Sequence, residues 1–209
     1  MFFDVDGDGD QDLYVANGHI HPQMEYAGLE TFDQRNLLYI NQLETGSPGF
    51  VEVGEDAGAG MSIVSPSRAV MRGDYDNDGD ADLLVTTIND QPILLRNQGP
   101  IRNPALLLTL VGRDSSRSPY GARVVVSSGD VVQHIELRDS DGYAVSNDPR
   151  VLAHLPGGNA DRVEITWPSG RVTTLSDVEP AWLVIDEIRG EIARTALTST
   201  VETEGPDER

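Results

Sequence analysis

Asp4-Val5-Asp6-Gly7-Asp8-Gly9-Asp10-Gln11-Asp12-Leu13 returns, place for place, as Asp74-Tyr75-Asp76-Asn77-Asp78-Gly79-Asp80-Ala81-Asp82-Leu83. In each stretch five carboxylates alternate with other residues. Such a segment repels itself at neutral pH unless a cation neutralises it or it stays solvated. Gly9 and Gly79 decide between these, because each falls at the sixth place, where a chain wrapping round a cation must turn sharply. Carboxylates at places one, three, five and nine, with the backbone carbonyl of place seven, offer the six to eight hard oxygens that calcium takes and magnesium fits less well. The reading is two Ca2+ sites: Asp4, Asp6, Asp8, Asp10 and Asp12 in one loop, and Asp74, Asp76, Asp78, Asp80 and Asp82 in the other. An EF-hand also opens D-x-D-x-D-G, but it needs a Glu at place twelve and flanking helices. Val15 and Val85 stand at place twelve, and Leu13 to Ala16 and Leu83 to Thr87 read as strands.

Working outward, the repeat includes more than the loops. Asn36-Leu37-Leu38-Tyr39-Ile40-Asn41-Gln42 recurs in shortened form as Ile93-Leu94-Leu95-Arg96-Asn97-Gln98, and the first copy continues through a turn with Gly46, Pro48 and Gly49 into Phe50-Val51-Glu52-Val53. Four short strands follow: one before the loop, one after it, Leu37 to Ile40, and Phe50 to Val53. Small sheets of four short strands that recur along a chain, with turns between, are how propeller blades look in sequence. Residues 68–74 lead into the second loop, whereas only Met1-Phe2-Phe3 precede the first. The chain thus reads as about one and a half blades of a partial β-propeller, the first blade cut. The loops and the strands after them resemble the FG-GAP or VCBS repeats of integrin α-chain propellers and of bacterial secreted proteins.

The second half reads as a separate all-β unit, a small β-sandwich or barrel. Val163, Ile165 and Trp167 alternate with Glu164 and Thr166, Val131 to Leu137 mixes apolar and polar residues likewise, and Gly129-Asp130 and Ser169-Gly170 read as hairpin turns. Ser115-Ser116-Arg117, Tyr120-Gly121-Ala122-Arg123-Val124, Gly142-Tyr143 and Asp161-Arg162-Val163-Glu164-Ile165-Thr166-Trp167-Pro168-Ser169-Gly170 resemble the ASPIC/UnbV module, which follows such repeats in the cartilage acidic protein family. The middle departs from that pattern at Gly142 to Asn147 and at Leu155 to Gly158. The expected organisation is blade repeats over 1–100, the ASPIC/UnbV-like domain over 101–190, and a polar, disordered tail over 191–209.

Composition narrows the function. Thirty-five acidic residues against fifteen basic give a net charge of -20, which repels a phosphate backbone and argues against nucleic acid. No apolar run approaches the roughly 18 residues of a membrane span. The absence of cysteine removes disulfides, thiol catalysis and thiolate metal sites. Open calcium loops suit the millimolar calcium found outside the cytosol, so the expected place is extracellular, periplasmic or the cell surface, although Met1-Phe2-Phe3-Asp4 does not open a signal peptide.

The first copy also carries an insertion between Asn17 and Asp33. The loops align Asp4 with Asp74, whereas the third strands align Leu38 with Leu94, a shorter offset that leaves the extra residues in the first copy. The insertion holds Asn17-Gly18-His19-Ile20-His21-Pro22. Alternating His19 and His21 could grip a metal or act as acid and base, or serve as ordinary loop histidines. His134, His154 and Trp167 read as structural; Trp182 is open to burial or to use as an exposed anchor. The favoured reading is a calcium-stabilised, secreted binding or structural module contacting a protein or glycan, as in cell adhesion. The alternatives are a metal-dependent enzyme using His19 and His21, or a structural staple for a catalytic region in further blades upstream.

Overall fold

The computed structural model of the 209-residue chain describes residues 1–23, 28, 31–42, 49–99 and 102–197. The first half contains β1 (Phe2–Phe3), β2 (Asp12–Val15), β3 (Gln34–Arg35), β4 (Leu37–Asn41) and β5 (Phe50–Glu52). Two 3-10 turns over Gly54–Ala57 and Ala59–Ser62 lead to β6 (Val64–Ser65), β7 (Ser67–Gly73), β8 (Asp82–Thr87) and β9 (Ile93–Leu95). The four strands expected of the first copy form one antiparallel sheet in the order β1-β2-β4-β5. The second copy forms β7-β8-β9. Registers repeat with the sequence: Phe3 faces Asp12 as Gly73 faces Asp82, and Leu13 faces Tyr39 as Leu83 faces Leu95. These are propeller-like blades, and period-two alternation is what fixes their register.

Outside the repeat lies the two-stranded ladder β3–β6, by which Gln34 and Arg35 beside the insertion pair with Ser65 and Val64. The turn with Gly46 and Pro48 lies outside the described residues.

The second half contains β10 (Ala105–Val111), β11 (Arg123–Ser128), β12 (Val131–Glu136), β13 (Val151–His154), β14 (Ala160–Thr166), β15 (Val172–Val178), β16 (Ala181–Asp186) and β17 (Gly190–Thr195). Two sheets, β13-β10-β16-β17 and β12-β11-β14-β15, enclose a core that includes Leu106, Leu108, Val124, Val126, Val163, Ile165, Trp167 and Ile185. The strands are therefore a sandwich. Gly129-Asp130 is the two-residue hairpin joining β11 to β12, with Gly129 at φ 57°. Trp167 is sealed in the core and donates its indole N–H to Thr173 Oγ1 at 2.9 Å.

The run Ala105 to Leu108 does not alternate because its sheet is covered on both faces. Leu106 and Leu108 enter the sandwich core, whereas Leu107, in register with Leu152, lines a crevice with Gly73, Asp74 and Ala81 of the second blade. Leu152 also packs on the blade core of Phe3, Tyr14, Leu38, Val70, Leu83 and Val85.

Contrary to the expectation from sequence, the tail does not begin at 191, since Gly190–Thr195 is a strand paired with β16. Its low apolar content reflects an exposed edge strand, which needs backbone pairing but little burial. The rest of the expected tail, 198–209, lies outside the described residues.

Glu187, directly after β16, holds the 113–115 loop against the sandwich. Its carboxylate accepts the backbone N–H groups of Arg113 (2.5 Å), Asp114 (2.8 Å) and Ser115 (2.8 Å) and the hydroxyls of Ser115 (2.8 Å) and Ser169 (2.5 Å). Burial alone would raise its pKa, but these donors outweigh that and hold it at about 2. Neighbouring Asp186, also buried, is paired with Arg113 at 2.7 Å. No helix among the described residues is long and apolar enough to cross a membrane.

Candidate metal centre

Each acidic loop is wound around its own first aspartate. Asp4 accepts the N–H groups of Gly7 (2.8 Å), Asp8 (3.2 Å) and Gly9 (2.9 Å); Asp74 accepts those of Asp78 and Gly79, both at 3.1 Å. The fifth-place aspartates repeat the device, Asp8 taking the Asp10 N–H at 2.9 Å and Asp78 that of Asp80 at 3.1 Å. The ninth-place pair ties the second place of each loop to the asparagine that ends or follows the third strand. Asp12 accepts the N–H of Val5 and of Asn41, both at 2.8 Å, and Asp82 those of Tyr75 (3.1 Å) and Asn97 (2.8 Å). In both copies, therefore, the asparagine after the third strand's apolar run is the residue that meets the ninth-place carboxylate.

Gly9 and Gly79 adopt φ of 96° and 98°, a left-handed conformation that side-chain-bearing residues rarely adopt. A second constraint acts on the same residues. A Cβ on Gly9 would lie 3.1 Å from Val131 Cγ1, and one on Gly79 would lie 2.9 Å from Ala105 Cβ. The loops are thus pressed on the sandwich at the points where they turn.

Carboxylate oxygens of Asp4, Asp6 and Asp8 converge within 4.8 Å of one another, and so do those of Asp74, Asp76 and Asp82. The two loops therefore gather overlapping but different trios. Asp10 and Asp80 lie in neither, and Asp80 and Asp82 are buried. An arginine spans each loop at places three and five: Arg102 reaches Asp6 at 2.9 Å and Asp8 at 3.2 Å, and Arg96 reaches Asp76 at 2.7 Å and Asp78 at 3.6 Å. Other groups hold the loop backbones. Asn103 donates to the Gly7 carbonyl at 2.7 Å, and Arg150, paired with Asp148, donates to Asn77 Oδ1 at 2.6 Å and to the Asp74 carbonyl at 2.5 Å.

The residues fit a hard cation. Arg102 pairs with two of the first loop's five carboxylates and Arg96 with two of the second's, and Asp6 Oδ1 is buried without a hydrogen-bond partner. Burial, followed by the like charge of Asp8, raises the Asp6 pKa to about 6. Burial raises Asp12 and Asp82 to about 6 against the opposing pull of their amide donors. Burial and Asp78 raise Asp80 to about 7, and Asp74 is raised by burial as well. These loops are carboxylate clusters in which burial and like charge disfavour the ionised form.

A pH dependence follows for the chelated protein. Folding favours the protonated form of a carboxylate whose pKa is raised above 3.8, so that contribution is complete below about pH 4 and is lost as pH climbs through 6 to 7. Glu187 acts oppositely: its contribution is present above about 4.5 and lost as pH falls toward 2. Chemical denaturation in excess chelator should show greatest stability near pH 4 to 5, falling on both sides. A profile rising steadily from pH 5 to 8 would contradict the burial of these carboxylates.

The histidines of the insertion lie apart from both loops. His19 Nδ1 accepts the His21 N–H at 3.0 Å, the rings are 6.3 Å apart, and neither residue joins a cluster of ligand atoms among the described residues. Part of the insertion, 24–27 and 29–30, is outside the described residues. Trp182 is half-buried, with Arg150 stacked 5.0 Å from its ring and its indole N–H donating to Thr109 at 2.9 Å.

Three groups around the loops have no local signal in the sequence. Arg102, Arg150 and His154 lie 94, 76 and 150 residues from the loop residues they touch, with no shared motif.

Comparison with known families places residues 112–187 in a match to the ASPIC and UnbV family model. The match runs from the loop that Glu187 clasps to Glu187 itself and takes in β11 to β16 of the sandwich. No curated protein matches the chain.

Proposed function

We propose that the chain is a calcium-stabilised binding or structural module of an extracellular, periplasmic or surface protein, with FG-GAP/VCBS-type blades presented on an ASPIC/UnbV domain. The observation that carries the reading is the pair of matched loops, each gathering three carboxylates within 4.8 Å around a backbone wound on its first aspartate. Calcium supplies charge neutralisation and cross-links the loop. Asp4, Asp6 and Asp8 would hold it in the first loop and Asp74, Asp76 and Asp82 in the second, with the remaining aspartates completing the field.

Partner contact suits the cleft of about 870 Å³ between β1, the first loop and β11–β12, lined by Phe2, Asp4, Arg123, Val132, His134 and Arg138 among others. Its mixture of apolar, cationic and acidic groups fits a protein or glycan surface.

Asp78→Asn with Asp82→Asn tests the ligand assignment. Of two calcium-dependent steps in a titration followed by unfolding midpoint, the double variant should lose one; retention of both would remove the second loop from the reading. His19→Ala with His21→Ala should change stability by no more than about 0.5 kcal/mol and leave the calcium response intact. Loss of the calcium response in that variant would move the metal to the insertion.

A further inference from the structure

His154, at the end of β13, is buried at 2% exposure and lies between the two acidic loops. Its Nδ1 is 2.8 Å from Asp4 Oδ2, the first-place carboxylate around which the first loop is wound. The ring also supports that loop's backbone, since a Cβ on Gly7 would lie 3.2 Å from His154 Cδ2. On the other side are groups of the second loop. Asp80 and the Gly79 backbone both act on the ring to favour its charged form, and Nε2 is sealed from solvent.

The backbone repeats this bracketing. His154 is the register partner of Ala105, and Ala105 is the residue on which Gly79 rests. Gln133, beside Gly9, clasps the His154 backbone, donating to its carbonyl at 2.5 Å and accepting its N–H at 3.3 Å. Both loops therefore rest at their turning glycines on one patch of the sandwich: Ala105, Val131, Gln133 and His154.

We propose that His154 is a positioning residue that joins the two loops into one calcium-responsive unit, so that a cation bound in either loop strengthens binding in the other. Asp4 cannot shift toward a cation without changing its contact with His154, and the ring cannot move without altering what Asp80 and Gly79 face. Carboxylates that ligate metals are themselves oriented by such outer partners, and coupling between sites is reciprocal by linkage. This rests on reading the loops as calcium sites.

Calorimetric titration with calcium chloride tests it on the whole chain. With the second loop disabled by Asp78→Asn and Asp82→Asn, the first loop should bind about 5- to 10-fold more weakly, within the usual range of coupling. In a His154→Asn background that dependence should vanish. Asparagine places an N–H near the Nδ1 position, so first-loop affinity should stay within about twofold of the histidine chain carrying the same disabled second loop. A merely structural histidine would lower both affinities and leave the dependence between loops unchanged. Should His154→Asn fail to fold by circular dichroism, His154→Gln, which reaches the Nε2 position but not Asp4, should also abolish the dependence between loops while weakening the first loop. Two independent loops in the unaltered protein, or coupling that survives His154→Asn, would overturn the inference and leave the calcium reading standing. No heat at millimolar calcium in the unaltered protein would overturn both.

Discussion

Thermal unfolding in excess calcium is expected at a midpoint about 10–20 °C above that in chelator. Each site filled at about 100 times its dissociation constant adds roughly 2.7 kcal/mol if the unfolded chain does not bind, and two sites give about 5 kcal/mol. For a chain of this size each kcal/mol moves the midpoint by about 2–4 °C. The physical source is relief of the carboxylate clusters, whose burial already pushes Asp6, Asp12 and Asp82 to about 6 and Asp80 to about 7. The shift should therefore be larger at pH 7.5 than at pH 5, where partial protonation has already reduced the repulsion. Magnesium should give a smaller shift at the same concentration, because it demands a tighter octahedral shell and sheds water reluctantly. An equal shift in magnesium would leave charge screening as the explanation.

Glu187→Ala is expected to lower stability by about 2–4 kcal/mol, and Glu187→Gln by less. The buried carboxylate is held by donors from the 113–115 loop and Ser169. Its removal strands three backbone N–H groups, and hydrogen bonds to a charged group contribute about 1.5–3 kcal/mol in a favourable case. Guanidinium unfolding of the two variants in calcium checks this, and the calcium-induced shift should persist in both. A loss below about 0.5 kcal/mol, the range of an ordinary surface substitution, would mean that the 113–115 loop is held by other contacts.

The fold was legible where local pattern and repetition coincide. Alternation through Val163, Ile165 and Trp167, the turn at Gly129-Asp130, and the matched strands beside each loop all reflect interactions within a few residues or between adjacent strands. The winding of each loop was legible for the same reason, being set by aspartates and glycines close together in the chain. The groups that hold the loops were not. Arg102, Arg150 and His154 come from distant segments, and only the docking of the sandwich on the blades brings them there. His154 read as structural because a histidine ending a strand carries no spacing signal. The exposed edge strand β17 carries no such pattern, because a strand satisfied by backbone pairing needs no apolar stripe and its sequence looks like a tail.

Equilibrium dialysis against radiolabelled calcium in a millimolar magnesium background tests the central claim most directly. The matched loops predict two calcium ions bound per chain, falling to one in Asp78→Asn with Asp82→Asn. The first loop alone should remain in that variant, with weakened affinity. No bound calcium, or binding that magnesium displaces at equal concentration, would contradict the account.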